Sequence, residues 1–206
     1  MFSKLFRDIL RKITFPIGRG IAAAGLSANT MTAIGFAVVL AATAAIVQHH
    51  LFLGGVLTIA GGVFDALDGA VARGGDQMSK RGAFLDSSID RASDALVLGG
   101  LAWHFATSGH VLSASWTDRV SMAFVLALVS LVLAFMTSYI RAKAEGLGFE
   151  CAVGIAERPE RIIILSVGLV FASVLFWLLV VLAIASMITV IQRFMHVWKQ
   201  AKSVPT

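Results

Sequence analysis

Four aspartates fall in two pairs within one 26-residue stretch: Asp65 and Asp68, spaced i,i+3, then Asp86 and Asp90, spaced i,i+4. On an α-helix either spacing puts both carboxylates on one face. Both pairs lie in segments otherwise apolar enough to read as membrane helices, where an ionised Asp costs ~2.5–3.5 kcal/mol even on the lenient insertion scale. Capping does not account for them, because a cap uses one carboxylate at a helix end and these lie inside two helices. Four such charges need something positive, and oxygen donors in this number suit divalent cations. Gly69 and Arg73 follow the first pair, so the cation would sit beside a small residue and a guanidinium, a setting for phosphate chemistry.

The elements must bring the two pairs together. Residues 74–81 are polar and Gly-bearing and read as a tight turn that returns the chain. Helices joined this way are antiparallel neighbours whose carboxylates can converge, with Asp94 continuing the second stripe.

Composition sets the wider frame. Of 206 residues 58% are hydrophobic and the mean hydropathy is +0.86, above the roughly 45–50% apolar content of soluble domains. The expectation is an all-α polytopic membrane protein, one membrane domain over residues 1–206, with six transmembrane helices preceded by an amphipathic interfacial helix. The interfacial helix is expected at 2–22, where Phe2, Leu5, Phe6, Ile9, Leu10 and Ile13 recur at helical spacing against Lys4, Arg7, Arg11 and Lys12. Spans are expected at about 29–48, 51–73, 86–107, 120–141, 159–174 and 176–198, the first capped by Ser27 or Asn29. The apolar run Pro159–Lys199 is about twice what one crossing needs, so it should turn near Ser173–Trp177. The first 20 residues have no small-residue cleavage site after an apolar core, so no cleavable signal peptide is expected.

Charge orients the spans. With the termini, the 74–85 turn and the 142–160 loop on one side, sixteen of the 17 Lys and Arg lie on or near that side and only Arg119 lies opposite. Such asymmetry places that side in the cytoplasm of a multi-pass cell-membrane protein. The net charge of +5 is dispersed among spans and not gathered with aromatics on one face, which excludes nucleic acid as a partner. Cys151 is alone, so no internal disulfide can form. His49-His50 reads as an interfacial loop.

The pattern D-x2-D-G-x2-A-R-x8-G-x3-D-x3-D, from Asp65 to Asp90, resembles the signature of the CDP-alcohol phosphotransferase family, and every specified position is present. The resemblance covers about residues 10–195. It implies transfer of a substituted phosphoryl group from a CDP-alcohol to a second alcohol, with release of CMP. It implies Mg²⁺, with Mn²⁺ as a substitute and two ions per site, held by Asp65, Asp68, Asp86 and Asp90. Asp90 matches the general base, taking the proton of the attacking hydroxyl, unless it only ligates metal. Gly69, Arg73, Ser79 and Gly82 match positions lining the nucleotide pocket, and Asn29 and Thr32 match an N-terminal segment that meets the nucleotide in relatives. Helix capping explains Asn29 nearly as well. Relatives are homodimers, so a homodimer is expected by resemblance.

Two further segments, Ser138–Glu145 and Glu157–Ile164, together with Arg193, resemble the phosphatidylinositol phosphate-forming subgroup and its archaeal-lipid counterparts. There a basic pocket holds the acceptor's own phosphate, a role that Arg141, Arg158 and Arg193 would fill. CDP-diacylglycerol is then the donor, inositol 1-phosphate the acceptor and phosphatidylinositol phosphate the product. The alternatives are glycerol 3-phosphate as acceptor and an archaeal ether-lipid donor. An alternative of another class is a cation-coupled transporter, which also buries carboxylates, although no inverted repeat is visible.

Overall fold

Ser27 starts the first long helix. Its Oγ accepts a hydrogen bond from the Thr30 amide at 3.1 Å, capping α2 (Ala28–Val47). Asn29 therefore sits inside the first turn, not at the cap. In this computed structural model the described residues are 14–108 and 118–202. The expected interfacial helix lies outside them up to residue 13; residues 14–23 are helical and are called α1.

Regular structure among the described residues is helical throughout. After α2 come α3 (Leu51–Gly74), α4 (Lys80–Thr107), α5 (Arg119–Gly146), α6 (Arg158–Val170), a short 3₁₀ turn (Ala172–Val174) and α7 (Leu175–Lys202). Two compact units divide between Val97 and Leu98. By length and composition, α2, α3, α5 and the run Ala172–Lys202 can each cross a membrane.

Several boundaries differ from expectation for local reasons. The helix expected at 86 begins at Lys80, because Ser79 caps it: its Oγ accepts from the Gly82 amide at 3.0 Å. The turn before it is thus shortened to residues 75–79. Helix α5 runs past 141 to Gly146, braced by the Arg141 Nε–Glu145 Oε1 pair at 2.8 Å. The break expected near Ser173–Trp177 falls at Phe171–Val174, so α6 has 13 residues, about 20 Å of helix at the usual rise. Helix α4 is long enough to span but carries Lys80, Arg81, Asp86, Asp90, Arg91 and Asp94.

In the first unit α2 and α3 form an antiparallel hairpin around a seam of small residues. Buried positions recur at alternating three- and four-residue steps: Thr32, Gly35, Val39, Ala42 and Ile46 on α2, and Gly54, Thr58, Gly61 and Asp68 on α3 with Asp65 between. The backbones approach closely. A Cβ on Gly61 would lie 2.7 Å from Val39 Cγ2, one on Gly35 2.9 Å from Phe64 Cβ, and one on Gly54 2.5 Å from Ile46 Cγ1. In lipid, contact of this kind drives helix association. Helix α1 lies against the far end of α3, where a Cβ on Gly18 would be 2.6 Å from Ala70 Cβ.

In the second unit α7 packs against α5 and α6. Leu175, Leu179, Leu182, Ser186, Thr189 and Arg193 are its buried seam. The polar end of that seam holds the α5–α6 loop. Thr189 Oγ1 accepts from the Ala156 amide at 3.0 Å, Arg193 Nε donates to Val153 O at 2.8 Å, and Gln200 exchanges two hydrogen bonds with the Glu150 backbone. Burial pushes the Cys151 thiol in this loop up from its ordinary value, with Arg193 and Arg141 opposing.

Gly61→Val should overfill the α2–α3 seam and destabilise the protein by about 1–3 kcal/mol, a fall of roughly 2–4 °C in Tm per kcal/mol. Gly99→Ala, with nothing within 4 Å of its Cβ position, should stay within about 0.5 kcal/mol. Thermal unfolding in detergent checks both.

Candidate metal and nucleotide site

The seam that packs α2 on α3 ends in carboxylates. Asp65 and Asp68 continue the buried face of α3 one turn beyond Gly61, and Asp86 comes from the second turn of α4. One carboxylate oxygen from each of the three lies within 4.8 Å of the others. Asp68 is 5% exposed and Asp65 and Asp86 are half-buried. Three hard oxygen donors this close in apolar helices repel one another unless a cation sits between them, and their donor set fits Mg²⁺ or Mn²⁺.

Asp90 is not in that group. It lies one turn further along α4, with its Oδ2 3.8 Å from Arg91 Nη1. Arg91 also donates to the Ser87 carbonyl at 2.5 Å, so it is held against its own helix.

Beside the triad lies a cavity of about 180 Å³. All six residues singled out for nucleotide contact line it: Asn29, Thr32, Gly69, Arg73, Ser79 and Gly82, together with Asp68 and Asp86. The reasons are local. Gly69 leaves the space that the Arg73 guanidinium fills, since a Cβ there would be 3.2 Å from Arg73 Nη1. Gly82 leaves space between Ser79 and Asn29, whose Oγ and Oδ1 would lie 3.1 and 3.7 Å from a Cβ. The first turns of α2 and α4 both reach the cavity, through Asn29 and Gly82. Helix starts carry partial positive charge, so with Arg73 they make this wall attractive to anions. The opposite character is supplied by the triad. An anionic diphosphate on one side and a divalent cation on the other is the ligand that such a wall and floor suit.

Gln77 also lines the cavity and was not singled out from the sequence. Its Oε1 accepts from the Ala28 amide at 2.9 Å, tying the start of α2 to the α3–α4 turn. A Gln in a polar turn carries no sequence signal for this; only the fold brings residues 28 and 77 together.

The three arginines expected to hold an acceptor phosphate lie in the second unit. Arg193 is 3% exposed; it donates to Val153 O and Thr137 O, each at 2.8 Å, and stands 3.8 Å from Glu157. Arg141 is exposed and paired with Glu145. Arg158 occupies the first turn of α6, beside Pro159. Arg193 thus braces the α5–α6 loop, a role that its isolation in an apolar helix did not reveal.

Residues 26–198 match the family described as CDP-alcohol phosphatidyltransferase. An archaetidylinositol phosphate synthase from Methanothermobacter thermautotrophicus is 39% identical over 96% of this chain and 94% of its own. The crystal structure of a Mycobacterium tuberculosis phosphatidylinositol phosphate synthase with CDP-DAG bound superposes with a TM-score of 0.78 at 34% identity, over 91% of this chain and 94% of that one. The same enzyme in complex with manganese and citrate gives a TM-score of 0.76 at 34% identity, over 90% and 88%.

Asp86→Asn should remove a carboxylate from the triad and weaken Mn²⁺ binding at least as much as the roughly 10–100-fold that outer-shell losses cost. Titration of the purified protein with Mn²⁺, followed by the electron paramagnetic resonance of the free ion, checks this; affinity equal to wild type would remove the ion from this site.

Proposed function

The chain belongs to the CDP-alcohol phosphatidyltransferase family, and on that premise we propose that it transfers the phosphatidyl group of CDP-diacylglycerol to inositol 1-phosphate, giving phosphatidylinositol phosphate and CMP. It is a transferase of phospholipid synthesis, which sets aside the transporter alternative. The observation that carries the reading is one cavity that joins two helix N-termini and Arg73 to three converging carboxylates.

The CDP diphosphate lies along the cavity wall, where the Arg73 guanidinium and the partial positive charge of the α2 and α4 starts face its oxygens. Asn29, Thr32, Ser79 and the open faces of Gly69 and Gly82 receive the nucleotide. Asp65, Asp68 and Asp86 would hold Mg²⁺ or Mn²⁺, two ions per site, with Asp90 as a further ligand. The chemistry such ions supply is neutralisation of the charge that builds on the departing CMP. The acceptor hydroxyl oxygen attacks the phosphatidyl phosphorus, the bond from that phosphorus to the CMP phosphate oxygen breaks, and Asp90 takes the hydroxyl proton.

The acceptor's own phosphate calls for cations apart from the triad, and Arg141, Arg158 and Arg193 are the proposed source. Hydrogen bonds to carbonyls consume Arg193 donors without cancelling its charge, which Glu157 at 3.8 Å offsets in part, and an exposed pair such as Arg141–Glu145 is worth little and opens readily. A second reading of the donor has support in the 39% identity to an archaeal relative: an ether lipid in place of the diacyl chain. The whole chain acts as one membrane domain, with α4 and α6 completing six spans after the interfacial helix. The Lys and Arg distribution favours a cytoplasmic face for the site in the cell membrane. Two chains form a homodimer.

Purified protein with Mg²⁺ and CDP-diacylglycerol should release CMP with inositol 1-phosphate and not with free inositol or glycerol 3-phosphate. CMP with glycerol 3-phosphate alone would replace the acceptor, and no CMP with any polyol would end the reading. Asp90→Asn should lower turnover by about 100-fold or more while leaving CDP-lipid affinity within a few-fold. Equal loss of both would make Asp90 a ligand alone.

A further inference from the structure

Five of the described threonines share one habit. Thr43, Thr58, Thr107, Thr137 and Thr189 each donate their hydroxyl hydrogen to the carbonyl four residues back, at 2.7–2.9 Å. This is the usual resource of a hydroxyl inside an apolar helix. Thr32 departs from it. Its bond back to Ala28 O is longer, 3.1 Å, and its Oγ1 lies 2.7 Å from Asp68 Oδ2. A hydroxyl has one hydrogen to give. The nearer and charged acceptor takes it, because hydrogen bonds to ionised groups are shorter and stronger than neutral ones.

Both partners are buried, Thr32 at 7% and Asp68 at 5% exposure, so water competes weakly for either. The contact bridges α2 and α3 across 36 residues of sequence. It also occupies one oxygen of Asp68, the most buried carboxylate of the triad, and restrains rotation of that group.

We propose that Thr32 is a positioning residue for the metal site: its hydroxyl fixes the Asp68 carboxylate so that the lone pairs it leaves free are held ready for a divalent cation. The inference rests on the reading of Asp65, Asp68 and Asp86 as that cation's ligands and goes beyond a contact of Thr32 with nucleotide. Outer-shell hydrogen bonds of this kind orient ligands and tune affinity. Thr32 also sits at the end of the small-residue seam, so the packing of Gly35 against Phe64 sets its distance from Asp68.

The test uses full-length protein in lipid nanodiscs, titrated with Mn²⁺ in the absence of nucleotide. Thr32→Val keeps the shape and removes the hydroxyl; Thr32→Ser keeps the hydroxyl and removes the methyl. Thr32→Val should weaken Mn²⁺ binding by about 10-fold, and Thr32→Ser should stay within about 3-fold of wild type. Thr32→Ala carries the same expectation as Thr32→Val and stands in for it if the valine variant does not assemble. A hydroxyl that served only the nucleotide would leave Mn²⁺ affinity unmoved, so wild-type binding with an unaffected Thr32→Val overturns the inference alone. Equal losses in the Val and Ser variants would assign the effect to methyl packing and overturn it too. Wild-type protein that binds no Mn²⁺ overturns the metal reading itself and the inference with it.

Discussion

Carboxylates buried in an apolar helix pair are the constraint from which the rest of the first unit follows. A single Asp in such a setting is costly, and three whose oxygens come within 4.8 Å cannot stay ionised together without compensation. A hydroxyl donor from α2 supplies part of it, and the gathering of the three oxygens leaves the rest to a cation between them. The hydroxyl contact requires α2 and α3 to approach more closely than ordinary side chains permit. Gly35, Gly54 and Gly61 supply that approach, so the seam of small residues is as much a part of the site as the aspartates.

The same seam explains why the cavity lies where it does. At the α2 start the helix pair stops being filled by side chains, and the turn from Gly75 to Ser79 closes over the gap. Gln77 fastens the turn to the Ala28 amide and Ser79 caps α4, so two helix N-termini end at one opening. Each cap uses a donor that the helix end leaves over. The anion-attracting wall is thus a by-product of how α2 and α4 begin, and the cation-attracting floor is a by-product of how α3 packs.

The sequence made the triad legible because its spacing is helical and its residue types are out of place in an apolar segment. The six positions proposed to meet nucleotide came from the family pattern, and one cavity gathers them all. Less was visible where local rules competed. Asn29 read as a cap or a ligand and Ser79 as a nucleotide position; the structure makes Ser27 and Ser79 the caps, and both Asn29 and Ser79 line the cavity. The start of α4 moved from 86 to Lys80 because a cap set by one hydroxyl outweighs hydrophobic periodicity at an edge. The hydrogen bond between Thr32 and Asp68 had no signature at all, since register between two helices is decided by packing and not by either sequence alone.

Arg193 shows the limit from the other side. An arginine in an apolar helix is read as functional because burying its charge is expensive. The expense is met here by carbonyls of Val153 and Thr137 and by Glu157, while Thr189 and Gln200 on the same face of α7 hold the loop backbone. A loop crossing the ends of apolar helices carries backbone groups that need partners, and a buried guanidinium with five donors satisfies several at once. The two carbonyls consume donors without cancelling charge, whereas Glu157, 3.8 Å away, offsets part of it. The fold therefore gives Arg193 a structural reason to exist that does not depend on any substrate, and the loop it holds carries Glu157 and leads directly into Arg158.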